Sequence, residues 1–422
     1  MKKHLTQLIT HPLISGSGII FIGSFVGSIG NYIYNLLMGR MLSVEDYGLL
    51  ISLTSFFILL GIFSNAFTNV FVKFSAQYKS SENHKGMVQL FYFSVRLLSI
   101  CALIFAVVLL LLLPLVSQML HVTNSIYLLL IVMAVIFSLL LTLPLGILQG
   151  RMQFISLSLA NVSQPVIKII VVLLLFSLGF SVLSPFIAIA ISVLLPCLIL
   201  YWYLYKTYKK RSDSKDIVAS TFRKDFFSYS YTFFLTGAGI ALLSNTDILL
   251  VRYFFDETSS GQYAALSLMG KAIFYLVTPI NFAFFPLIAY KRERKEKLFG
   301  TVLLTFSLVT LASLTLSFIY FAFPSLILSI FFPSPDFAPV GKYLGLFSLY
   351  IFVFTLATLL SSFFLSIGKT GVYKISLFAA AVQILLLFFF HESLYQVIGS
   401  LFTASLLFFL ILVVYYVKHG RD

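Results

Sequence analysis

Residues Met87–Ser117 read MVQLFYFSVRLLSICALIFAVVLLLLLPLVS, and in that stretch only Arg96 carries a charge. A helix rises about 1.5 Å per residue, so roughly 20 apolar residues cross the ~30 Å hydrocarbon core of a bilayer. The stretch is long enough and apolar enough to do so. Runs of the same kind recur along all 422 residues, of which 60% are hydrophobic and 10% charged, with a mean hydropathy of +1.04. A soluble domain carries about 25% charge, so an ordinary water-facing surface cannot be built here and a soluble fold is excluded. The runs group into spans near 15–39, 47–75, 87–117, 125–149, 154–178 and 182–205. Six more lie near 226–254, 261–289, 298–323, 338–366, 372–390 and 394–417. The sequence therefore predicts an all-α polytopic membrane protein of about 12 transmembrane helices. It divides into a six-helix lobe (1–205), a basic cytoplasmic linker (206–225) and a second six-helix lobe (226–422).

The +14 net charge resides in short clusters between apolar runs, not in a stripe along one surface, which argues against a nucleic-acid partner. With both termini cytoplasmic, 22 of the 28 basic residues fall in inside segments, and only Arg40, Arg252 and Lys342 fall outside. That asymmetry is the positive-inside pattern and requires an even number of spans. Cys101 and Cys197 sit inside apolar runs and read as small core residues, and the six histidines show no metal-ligand spacing. No metal or other cofactor is expected, apart from a coupling proton or sodium ion.

The halves resemble one another. Asn31–Arg40 (NYIYNLLMGR) matches Asn245–Arg252 (NTDILLVR), and each leads to a helix start containing Gly and Tyr, Asp46-Tyr47-Gly48 and Gly261-Gln262-Tyr263. Gln149-Gly150-Arg151 near the end of span four matches Ile367-Gly368-Lys369 near the end of span ten. The offsets fall between 212 and 218 residues. Six spans per repeat is an even number, so the repeats share orientation about an axis along the membrane normal.

The segment Gly39-Arg40-Met41-Leu42-Ser43-Val44-Glu45-Asp46-Tyr47-Gly48, followed by a helix ending Val72-Lys73-Phe74-Ser75-Ala76-Gln77-Tyr78, resembles polysaccharide-biosynthesis flippases. These belong to the multidrug/oligosaccharidyl-lipid/polysaccharide exporter superfamily. Asn245-Thr246-Asp247-Ile248-Leu249-Leu250 and Gly261-Gln262-Tyr263-Ala264-Ala265 are similar to that family's seventh and eighth spans. The resemblance implies two six-helix lobes around a central cavity in the cell (inner or plasma) membrane. It implies a multi-pass flippase, not an enzyme, that moves a polyprenyl-(pyro)phosphate-linked oligosaccharide to the outer leaflet by alternating access. Membrane lipids and other polysaccharide-assembly proteins are the partners it implies.

Charges inside a span cost about 2.5–3.5 kcal/mol on insertion scales and usually face a protein interior. Lys168 shares a helical face with Asn161 and Gln164, Lys271 with Ser267, Tyr275 and Thr278, and Arg96 with Gln89, Tyr92 and Ser99. Three polar stripes with one cation each suit a cavity for an anionic head group. Snorkelling of the basic side chains or helix–helix hydrogen-bonding seams would give the same stripes. Asp247 is the one acidic residue well inside a span, either a counter-ion to a buried cation or a coupling site for H+ or Na+. Span one carries Asn31 and Asn35 on one face among many glycines, which suits either a gate helix or a tight packing helix. Two other functions fit the class. A multidrug–cation antiporter would need an acidic cavity, whereas three embedded cations face one acid. A membrane polysaccharide polymerase would need convergent catalytic groups, and the short outer loops show no paired carboxylates.

Overall fold

The computed structural model describes residues 12–209, 220–293, 298–369 and 371–419. The middle of the expected basic linker, 210–219, lies outside them. The helices are α1 (Pro12–Met41), α2 (Val44–Ser80), α3 (His84–Met119), α4 (Ser125–Gly150), α5 (Phe154–Ser177) and α6 (Leu183–Lys209). They continue with α7 (Ser220–Phe254), α8 (Glu257–Glu293), α9 (Phe299–Ala322), α10 (Pro324–Phe331), α11 (Gly341–Ser366), α12 (Val372–Phe389) and α13 (Leu394–His419). A 3-10 turn, Pro335–Val340, leads into α11. Apart from the eight-residue α10, each expected span falls on one long helix, and no strand occurs among the described residues. Among the described residues, ten helices carry a stretch long and apolar enough to cross a membrane. On α3, Leu103, Ile104 and Leu111 stand exposed in the middle of the helix, as lipid-facing side chains do.

The described residues pack as two compact units, 1–34 with 60–234 and 35–59 with 235–422. In the first unit α4 packs on α3 and α6, and α6 on α5. In the second, α11 packs on α9 and α13, and α13 on α12. The pairing is the same in the same order, as a duplicated six-helix unit requires. The first unit's core joins Val70, Phe71 and Phe74 of α2, Leu98 of α3, Leu143 and Ile147 of α4, Leu204 and Tyr208 of α6, and Phe226 of α7. Gly146 and Gly150 let α4 lie against the α2 backbone, where a methyl on Gly146 would come within 3.0 Å of the Thr68 carbonyl.

Helix ends locate the repeat more closely than the loose sequence matches do. After α4, Met152 N–H donates to Gln149 O and Gln153 N–H to Leu148 O; after α11, Gly368 N–H donates to Leu365 O and Lys369 N–H to Phe364 O. Both are Schellman caps, with Met152 (φ 59°) and Gly368 (φ 75°) in the left-handed position. The caps pair Met152 with Gly368, an offset of 216, two residues away from the Gly150–Gly368 match suggested by the sequence.

Candidate functional site

In the first unit the glycines of α1 form a seam with α5. A methyl on Gly23 would collide with Ser158, one on Gly27 would come within 3.2 Å of Asn161 O, and one on Gly30 within 2.9 Å of Pro165 Cβ. Ser158 Oγ donates to Ile19 O at 2.9 Å and fastens the same seam. One turn further along, Lys168 Nζ donates to Asn31 Oδ1 at 2.9 Å and stands 4.9 Å from the centre of the Tyr34 ring. Asn31 Nδ2 is occupied by Gly27 O at 3.1 Å, which turns Oδ1 toward the lysine. The buried Tyr34 is fixed in turn by donating to Pro185 O on α6 at 3.2 Å. An ammonium group has three donors, and the asparagine uses one. The arrangement can hold an anion as a point charge on a rigid mount.

Asn161 and Gln164, half-buried on α5, share the Lys168 helix as expected. Arg96 does not join them: it is exposed on α3, which packs chiefly on α4. Asn31 and Asn35, expected as one gate face, fall in different units, the division passing between Tyr34 and Asn35.

The second unit buries a polar ladder between α7 and α8. Asp247 is fully buried, and its Oδ2 accepts from Tyr263 OH at 2.7 Å. Two turns along α8, Lys271 Nζ donates to Ser244 O at 2.7 Å, and its charge acts on Asp247. Ser267, between Tyr263 and Lys271 on the same face, is buried, and Gln383 of α12 donates through Nε2 to Leu243 O at 3.1 Å. Asp247 Oδ1, Thr246 Oγ1, Ser267 Oγ, Tyr350 OH and Gln383 Oε1 are buried oxygens that lack a hydrogen-bond partner. An unpartnered buried carboxylate oxygen such as Asp247 Oδ1 is costly, and a proton or a hard cation is a group that would satisfy it. The side chain of Thr278, expected in the Lys271 stripe, lies outside those described.

Three participants escape the sequence reading. Tyr34 lies one turn from Asn31, Tyr263 lies two turns from Lys271 on the same face, and Gln383 is a single amide in an apolar run; each left that signal. Arg252, read as an outer-loop cation, is corrected: it is 1% exposed near the end of α7 and pairs with Glu257 at 3.1 Å. Burial of the guanidinium is tolerated because the carboxylate meets it.

Solved structures share this architecture. An inward-facing multidrug resistance MATE family transporter of the MOP superfamily superposes with a TM-score of 0.78, at 12% identity, over 94% of this chain and 96% of that one. The lipid II flippase MurJ in an inward closed conformation superposes with a TM-score of 0.73, at 16% identity, over 96% of this chain and 87% of that one. An uncharacterized membrane protein of Methanocaldococcus jannaschii is 24% identical over 272 residues, 62% of this chain and 64% of that protein's length. Residues 13–291 match the polysaccharide biosynthesis protein family, which with the helices above makes the chain a multi-pass membrane protein of that family.

Proposed function

We propose that the protein is a flippase that carries a polyprenyl-(pyro)phosphate-linked oligosaccharide to the outer leaflet by alternating access. The observation that carries the reading is Lys168, an intramembrane cation held by Asn31 over the Tyr34 ring with donors to spare. An intramembrane ammonium on such a mount is best accounted for by a phosphate ligand. Asp247 is the coupling site in this reading, taking up H+ or Na+ at its unpartnered Oδ1. Lys271 acts there by setting the charge of the site, and Arg96 is left as a surface cation that meets the head group on entry. Other polysaccharide-assembly proteins would supply the substrate and use the product.

Deletion of the gene in its host should abolish surface glycan and trap the lipid-linked precursor on the cytoplasmic leaflet. Unchanged glycan together with new sensitivity to cationic compounds would overturn the reading in favour of a multidrug–cation antiporter, which the likeness to MATE transporters keeps as the second reading.

A further inference from the structure

The two repeats differ in one connection. In the first, α3 passes to α4 through residues 120–124, whereas in the second α9 passes to α11 through residues 323–340, which hold α10 and the 3-10 turn. The added segment is pinned to the second unit along one side. Arg40 donates through Nε to Phe331 O at 3.4 Å and through Nη2 to Ile330 O, at the end of α10. A methyl on Gly39 would collide with the Phe332 ring, which meets Phe337 at 4.8 Å and Tyr47 at 5.6 Å. Leu328, Phe332 and Phe337 are buried there, and Gln262 Nε2 donates to Asp336 O at 2.9 Å. The charge pattern places this segment at the outer end.

The other side of α10 turns away from the protein. Phe323, Leu326 and Ile330 follow at three- and four-residue steps and are 49 to 56% exposed. They continue the exposed stripe of Leu311, Leu314, Phe318 and Phe321 on α9. With 24 residues, α9 is about 36 Å long, a little more than the ~30 Å hydrocarbon core, so its end reaches head-group level. Between α10 and the start of α11 lies a cavity of about 390 Å³, lined by Ser325, Ser329, Ser334 and Lys342 among prolines. Lys342 is exposed, with Nζ 4.8 Å from the centre of the Tyr343 ring, and among the described residues no carboxylate pairs with it.

We infer that α10 is an interfacial helix that holds an anionic phospholipid of the outer leaflet, with acyl chains against Phe323, Leu326 and Ile330 and the phosphate in the Lys342 cavity. Continuity with the lipid-facing stripe of α9 says what covers the apolar face, which in water would be an open patch. Serine hydroxyls and an ammonium without a carboxylate partner are the donors that a phosphodiester takes. The site is one-sided, because the short first-repeat connection has no helix to build it. It is independent of which substrate the protein carries.

Fluorescence of the full-length protein tests this directly. Its one tryptophan is Trp202, so Trp202→Phe with Leu326→Trp puts a lone fluorophore on the apolar face of α10. The variant is reconstituted in phosphatidylcholine vesicles that carry, at equal mole fraction, brominated phosphatidylglycerol or brominated phosphatidylcholine. Bromines near the head-group end of the acyl chains should quench strongly and bromines at the chain ends weakly. Brominated phosphatidylglycerol should quench as though enriched about fivefold over brominated phosphatidylcholine, and Lys342→Gln should make the two equal. If Leu326→Trp does not fold, Ile330→Trp reports from the same face. Emission that ignores the shallow bromines means that water or another protein covers α10, and overturns the interfacial helix. Equal quenching by the two lipids with Lys342 in place, or a preference that survives Lys342→Gln, overturns the phosphate site.

Discussion

Lys168 puts a charge where only a ligand or a counter-charge justifies it, so its removal should separate function from stability. Lys168→Met is expected to lower transport about tenfold or more, the worth of a charge-assisted hydrogen bond of ~1.5–3 kcal/mol. The variant should melt no lower than the parent in detergent, because an expensive embedded ammonium is gone; a lower melting point would make Lys168 a structural residue. Asp247 gives a second pair of expectations. Asp247→Asn keeps an acceptor for Tyr263 OH and should leave the fold intact while transport loses its dependence on the H+ or Na+ gradient. Tyr263→Phe takes the donor from a buried carboxylate and should cost about 1–3 kcal/mol in thermal or denaturant unfolding. Lys168 and Asp247 were legible in the sequence because a charge in an apolar run is conspicuous. Their mounts, Tyr34 and Tyr263, left only their helical spacing from Asn31 and Lys271, a weak signal in a chain with 23 tyrosines.

At the scale of elements, the helix caps and the glycine seam carry separate tests. Met152 occupies a left-handed position that glycine adopts without a Cβ penalty, and glycine stands at the equivalent position 368. Met152→Gly should therefore stabilise the protein by about 1 kcal/mol, read as a raised melting temperature. Gly30→Leu on α1 should do the reverse, since even a methyl there meets Pro165, and overpacking costs about 1–3 kcal/mol. In the first turn of α8, the Ser259 hydroxyl and then its amide, which donates to Asp256 Oδ2 at 3.0 Å, hold the Asp256 carboxyl below the usual range. The folded-state pKa is depressed, so the stabilisation is present above the unfolded value of about 3.9 and is lost as pH falls through the lowered one. The twelve long helices were legible because apolar runs of span length mark where a helix is buried in lipid or protein. The offset of the repeat was not, because the Schellman geometry that fixes it accepts methionine in one half and glycine in the other.

For the whole molecule, the distribution of basic residues predicts that both termini lie on the cytoplasmic side. Reporter fusions at residues 1 and 422 should both be active inside and silent outside. The division into units was beyond the sequence reading, which cut the chain between spans. In the structure the units exchange segments: α1 belongs to one through Tyr34 and to the other from Asn35, and α2 changes membership between Leu59 and Leu60. An α-helix turns about 100° per residue, so on α1 the seam of Gly23, Gly27 and Gly30 and the asparagine that follows it act as a key cut to one angle. One residue inserted between Gly30 and Asn31 would leave every side chain present yet swing Asn31 out of phase with Lys168.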